Sequence, residues 1–140
     1  MEYFAFTFGA LNTEKVLEQL ADPGQGAVVL LVGTVRNQTG GRAVAYLAYE
    51  AYEEMALKVL AEIAQKLRER WPATRGIAIH HRLGRLGVGE VSVIVAVGNP
   101  HRAEAFAACE CAIDTLKADA PIWKKEVWAD GASDWVVPRE

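Results

Sequence analysis

The segment IAIHHRLGRLGVGEVSVIVAVG, residues 77–98, decides the fold. Its centre, GRLGVG at 84–89, has a superficial likeness to a dinucleotide-binding loop, which would make the chain a doubly wound parallel sheet. The glycine spacing is wrong for that loop. An apolar β-branched run also follows it, where a helix must stand to receive the phosphates. Residues 77–83 and 90–98 read instead as two strands joined as a hairpin. Successive strands between helices favour an α+β sheet.

Working outward, the flanks fit that class. Residues 3–8 alternate aromatic and small side chains and predict a strand. Asn12 or Thr13 caps a short helix through Leu20, which Asp22-Pro23-Gly24 ends. The run 27–35, rich in β-branched residues, predicts a strand covered on both faces, NQTGGR (37–42) a loop, and 43–52 a further strand. From Glu53 the period lengthens: Ala56, Leu60, Ile63, Leu67 and Trp71 make one stripe of a long helix that stops before Pro72. Asn99-Pro100 has the form of an N-cap followed by proline at the first helical position. The helix it opens buries Ala105 or Phe106, Cys109, Ile113 and Leu116, and Pro121 forbids its continuation. Residues 122–128 predict a strand, 129–133 a turn, and 135–137 a segment that packs back. The expected order is β-α-β-β-α-β-β-α-β: a mixed or antiparallel sheet with helices packed on one face. Residues 1–140 form one domain, without repeat or linker.

With 140 residues, 51% of them apolar and 24% charged, the chain can bury a core and does not read as disordered. A net charge of -3 argues against a general nucleic-acid binder, so any anion site must be local. The start MEYFAFTFGA has an acidic second residue and no basic segment ahead of an apolar one, unlike a secretory signal. The apolar run from Ala27 is far too short to span a bilayer. Cys109 and Cys111, two apart on a helix, face opposite ways and suit neither a mutual disulfide nor one metal. A reduced, cytoplasmic protein without membrane contact is expected.

Candidate chemistry narrows to two spots. GTVRNQTGG (33–41) lacks the ending of a Walker-type phosphate loop. His80, His81 and His101 have too few companions at ligand spacing for a metal, and adjacent strand histidines read as one inward, one outward. At the start of the second long helix, however, His101 and Arg102 oppose the dipole where backbone N–H groups already favour an anion. Either a ligand phosphate compensates them, or Arg102 is solvated and paired with Glu104 or Asp130. The other spot is KADAPIWKKE, residues 117–126. Lys117 in the last helical turn is favoured by the dipole alone. Lys124 and Lys125 must face opposite sides of their strand. A lysine among cations and apolar walls has its pKa pulled down and becomes a usable acid, base or nucleophile, and Arg36 can add positive charge. The residues alone define a cationic pocket for a phosphorylated or carboxylate-bearing ligand.

Taken together, GTVRN (33–37), YEAYEEMA (49–56), HRLGRLGVGE (81–90), HRAEAF (101–106) and LKADAPIWKKE (116–126) resemble the catalytic (large) subunit family of molybdopterin synthase. The likeness runs in order from about residue 27 to 128, the last motif being the most specific. The resemblance implies a hammerhead-like α/β fold and a sulfurtransferase that converts cyclic pyranopterin monophosphate into the molybdopterin dithiolene. It implies sulfur delivered as a thiocarboxylate on the C-terminal Gly-Gly of a small ubiquitin-like subunit. It further implies a homodimer core, giving a heterotetramer, with no metal and no cofactor. By the same resemblance, Lys117 and Lys124 are catalytic. His101 and Arg102 bind the phosphate end of the substrate, Thr34, Val35 and Arg36 line the same pocket, and Lys125 and Glu126 continue it. The alternative is a non-catalytic module that binds a pterin or nucleotide phosphate.

Overall fold

The computed structural model describes residues 1–136 as β1 (Glu2–Thr7), α1 (Thr13–Gln19), β2 (Ala27–Thr34), β3 (Gln38–Thr39), β4 (Arg42–Ala51), α2 (Glu53–Arg70), β5 (Gly76–Arg82), β6 (Gly84–Gly87), β7 (Val91–Asn99), α3 (Arg102–Asp119), β8 (Ile122–Trp128) and β9 (Ser133–Val136). The mixed α+β class is as expected, but the strands divide between two sheets. One has the order β1-β5-β7-β2, with β1 parallel to β5 and the rest antiparallel. The other runs β3-β4-β8-β9, with β6 also on β4. The segment expected to pack back is β9, paired to β8 through Val136; Val137 lies outside the described residues.

Strand alternation explains the core. On one face of the first sheet Ile77, Ile79, Val93, Val95 and Val97 pack against Leu60, Ile63 and Leu67 of α2 and Ala108, Cys109 and Ile113 of α3. Ala78, Ile94 and Ala96 point the other way, onto Val16 and Leu20 of α1. The helices therefore do not all lie on one face: the short α1 covers the second. β2 touches both cores through Val29 and Leu31 on one side and Val28 and Leu30 on the other. As the edge strand it is only half-buried, and Val32 is 40% exposed, so its expected full cover is not reached.

The opening segment departs from a simple hairpin. β5 and β7 pair as expected, but their connection leaves the first sheet. Gly84–Gly87 pair with Tyr49–Tyr46 of β4, and Gly84 and Gly89 turn the chain at φ 84° and 85°, a region open to glycine at little cost. Arg82 binds Glu90 at 2.8 Å and closes the base of this excursion. The second helix start also shifts. Asn99 ends β7 fully buried, donating from Nδ2 to the Thr74 hydroxyl at 3.0 Å, and the cap position falls to His101, without a side-chain capping bond.

Candidate active site

At Asp119 α3 stops because Pro121 lacks the N–H to continue it. Ala120 is extended (φ -75°, ψ 136°), and its N–H still reaches the Leu116 carbonyl while the Ile122 N–H bonds Ala120 at 2.8 Å. This reversal lays β8 back along β4, with Lys124 opposite Tyr49 and Glu126 opposite Leu47. The turn thus brings Lys117 and Lys124 to one cleft of about 680 Å³, between the last turn of α3, the ends of β2 and β5, and the second sheet.

Of the residues expected in the site, Thr34, Arg36, Lys117, Lys124 and Glu126 line this cleft. Glu126 is 6% exposed, and its Oε2 accepts the Thr39 hydroxyl at 2.6 Å. Lys124 is held below its ordinary value, first by burial and then by repulsion from Lys117 and Arg36, against the pull of Glu126. The lowered group is thus Lys124, and burial outweighs the lysine–lysine coupling. Burial likewise pushes the Tyr49 phenol up.

The remaining expectations lie elsewhere. Lys125 faces away, as alternation on β8 requires, with Nζ 5.9 Å from the Trp135 ring centroid. Val35 turns into the hydrophobic cluster of Val44, Leu47, Leu86 and Trp128, so its side chain is structural. His101 and Arg102 stand exposed at the opposite end of α3, about 22–24 Å from Lys117 by helical rise. Arg102 forms no ion pair among the described residues, not even with its expected partners: Glu104 does not pair with it, and Asp130 is bound by Arg42 at 3.0 Å. Four polar cleft residues escaped the sequence reading: Thr39, Tyr49, His81 and Ser92. Tyr49 stood within a quoted motif, and His80 and His81 read as a strand pair, one inward and one outward. Among the described residues no group of three His, Cys, Asp or Glu side chains is placed to hold a metal.

Known proteins match this arrangement closely. The family model described as "MoaE protein" matches residues 6–119, beginning well ahead of residue 27. The chain is 57% identical over 133 residues to the molybdopterin synthase catalytic subunit of Nostoc sp., covering 95% of this chain and 81% of that one. It superposes with a TM-score of 0.92 on the structure of molybdopterin synthase from Staphylococcus aureus, at 42% identity over 98% of both chains. The same fold, at a TM-score of 0.77 and 22% identity over 99% of this chain and 92% of that one, occurs in a complex of subunits 1 and 2 of the molybdopterin-converting factor from Helicobacter pylori. The chain belongs to the MoaE family, the catalytic subunits of molybdopterin synthase.

Proposed function

We propose that the Lys117–Lys124 cleft is where this subunit, a sulfurtransferase, moves sulfur onto a cyclic pyranopterin monophosphate. The observation that carries the reading is the pairing of two lysines from different elements in one cleft, one of them, Lys124, half-buried and held below its ordinary pKa. The sulfur comes from the thiocarboxylate on the C-terminal Gly-Gly of a small ubiquitin-like subunit. The two-subunit complex of the Helicobacter protein that shares this fold supports such a partner. A tail without side chains can enter a narrow opening and keep water from the thiocarboxylate.

In this reading the thiocarboxylate attacks the pterin side chain, and water then cleaves the bond joining substrate to partner. Lys117 moves protons as the ring opens and water leaves. Lys124 and Arg36 stabilise developing negative charge, and Glu126, bound by Thr39, keeps the Lys124 side of the cleft in place. The phosphate takes charge-assisted hydrogen bonds from His101 and Arg102. Their distance from Lys117 along α3 means that a second copy must supply them, so we place the site at the interface of a homodimer within a heterotetramer. The half-buried, apolar edge strand β2, which lines the cleft with Leu31 and Val32, supports a contact between copies there. Residues 1–140 act as one domain. No helix of the described residues is long and apolar enough to cross a membrane, and two free cysteines suit a reducing cytoplasm.

Mixing the protein with thiocarboxylated partner and substrate tests the proposal. Dithiolene product is expected. Tight binding without product would favour the non-catalytic module instead.

A further inference from the structure

The cleft holds a titratable side chain that the lysine chemistry leaves unused. Alternation along β5 sends His80 outward to Gln19, Nε2 to Oε1 at 3.1 Å, and His81 inward, where it is 6% exposed. The His81 Nδ1 lies 2.8 Å from the Arg82 carbonyl. A carbonyl only accepts, so Nδ1 carries the hydrogen, and in the neutral ring Nε2 keeps its lone pair. Nε2 has no protein partner among the described residues, yet it is not among the enclosed polar atoms left without one. Because His81 lines the cleft, that lone pair opens into it. The Tyr49 ring meets the imidazole edge-on at 4.9 Å and 70°, and Phe6 lies at 6.3 Å, so the ring is held in place on two sides.

We propose that His81 is a positioning residue of this site: a neutral imidazole held in its Nδ1–H form, whose Nε2 accepts a hydrogen bond in the cleft and orients the Lys117 amino group. The role rests on the reading of Lys117 as the proton-transfer group. The titratable groups that share the cleft with this ring are Lys117 from α3, Lys124 and Glu126 from β8, Tyr49 from β4, and Arg36 beyond β2; of these, the Tyr49 ring touches it and the Lys117 charge acts on it. Burial first, then the charge of Lys117, bring His81 down to about 4 against the pull of the Arg82 carbonyl. It therefore adds no positive charge at neutral pH to a cleft already lined by Arg36, Lys117 and Lys124. A lone pair attracts an ammonium, whereas an imidazolium would push it away.

The test is nitrogen NMR of the histidine-labelled intact protein, joined to single-turnover rates against pH. In the wild type, His81 should show unprotonated Nε2 and protonated Nδ1 around neutral pH, and Lys117→Ala should move the Nε2 signal. His81→Leu should lower kcat by at least about tenfold with KM little changed and displace the pH profile, while His81→Gln, which places an acceptor near Nε2, should recover most of the rate. An imidazolium or an Nε2–H form at neutral pH would overturn the inference. So would His81→Leu with a normal rate and profile beside an inactive Lys117→Ala. A fully active Lys117→Ala would overturn the lysine reading itself, and this role with it. Should His81→Leu not fold, the wild-type tautomer and the His81→Gln rate still decide.

Discussion

The two ends of α3 both carry cations, and they are built in opposite senses. At the C-terminal end Lys117 agrees with the helix dipole and lines a cleft with the half-buried Lys124. At the N-terminal end His101 and Arg102 oppose the dipole, lie exposed, and have neither a capping bond nor an ion pair among the described residues. A charge that its own helix favours needs no outside partner. A charge set against the helix is open to an anion from beyond the chain, and in the proposed site the length of α3 is what requires a second copy to bring both ends to one substrate.

Breaking the cleft end should cost most. Lys117→Ala should lower single-turnover sulfur transfer by about 10²–10⁴-fold, the range of a lost general acid–base group. Stability should change by only a few tenths of a kcal/mol, because a cation in the last helical turn contributes little more. Lys117→Arg should fail as well, since arginine keeps its proton. A near-normal rate for that variant would leave Lys117 a purely electrostatic role.

The wall of the same cleft has the next largest effect, on stability. His81 stays neutral in the folded chain, so between its ordinary 6.5 and about 4 the unfolded chain takes up a proton that the folded chain refuses. Stability is therefore complete above the upper value and falls as pH drops through the window, by about 3 kcal/mol in all. Denaturant midpoints near neutral pH and near the lower value should show the loss in wild type and a smaller one in His81→Leu. Equal losses would place the acid sensitivity elsewhere.

At the other end of α3, Arg102→Ala should weaken substrate binding by about 1.5–3 kcal/mol, the value of a hydrogen bond to a charged group. The loss should appear in KM more than in kcat, because phosphate is held alike in ground and transition states. A collapse of kcat at constant KM would remove Arg102 from the phosphate. The smallest effect belongs to Lys125→Ala, next to Lys124 but on the far side of β8: the rate should hold within a few-fold, and stability should fall by about 0.5–1 kcal/mol as the contact with Trp135 is lost. A large loss of rate would mean that this face also meets substrate or partner.

The legible parts were those governed by local rules. The stripe from Ala56 to Leu67 defined α2, and alternation put Lys124 and Lys125 on opposite faces, though not which one entered the cleft. That choice comes from β4, whose register with β8 is a long-range matter. β6 was hidden for the same reason: four residues, two of them glycine, become a strand only because β4 lies beside them. Asn99 had the form of a cap, but Thr74 and the buried end of β7 claimed it. His81 could not be told from His80, because alternation alone does not say which of an adjacent pair faces inward or which cavity it meets. The distance between Arg102 and Lys117, by contrast, was open to reading from the helix length, and under the proposed function it lets both residues serve one substrate only across two chains.

The most direct measurement is therefore complementation between the two ends of α3. Co-expressed chains carrying Lys117→Ala and Arg102→Ala, with different tags, allow the mixed dimer to be isolated and assayed at low substrate. If a second copy supplies Arg102, one cleft of that dimer holds both substitutions and the other holds none, so activity should be about half that of wild type. A mixed dimer no more active than the Arg102→Ala homodimer would contradict the shared site.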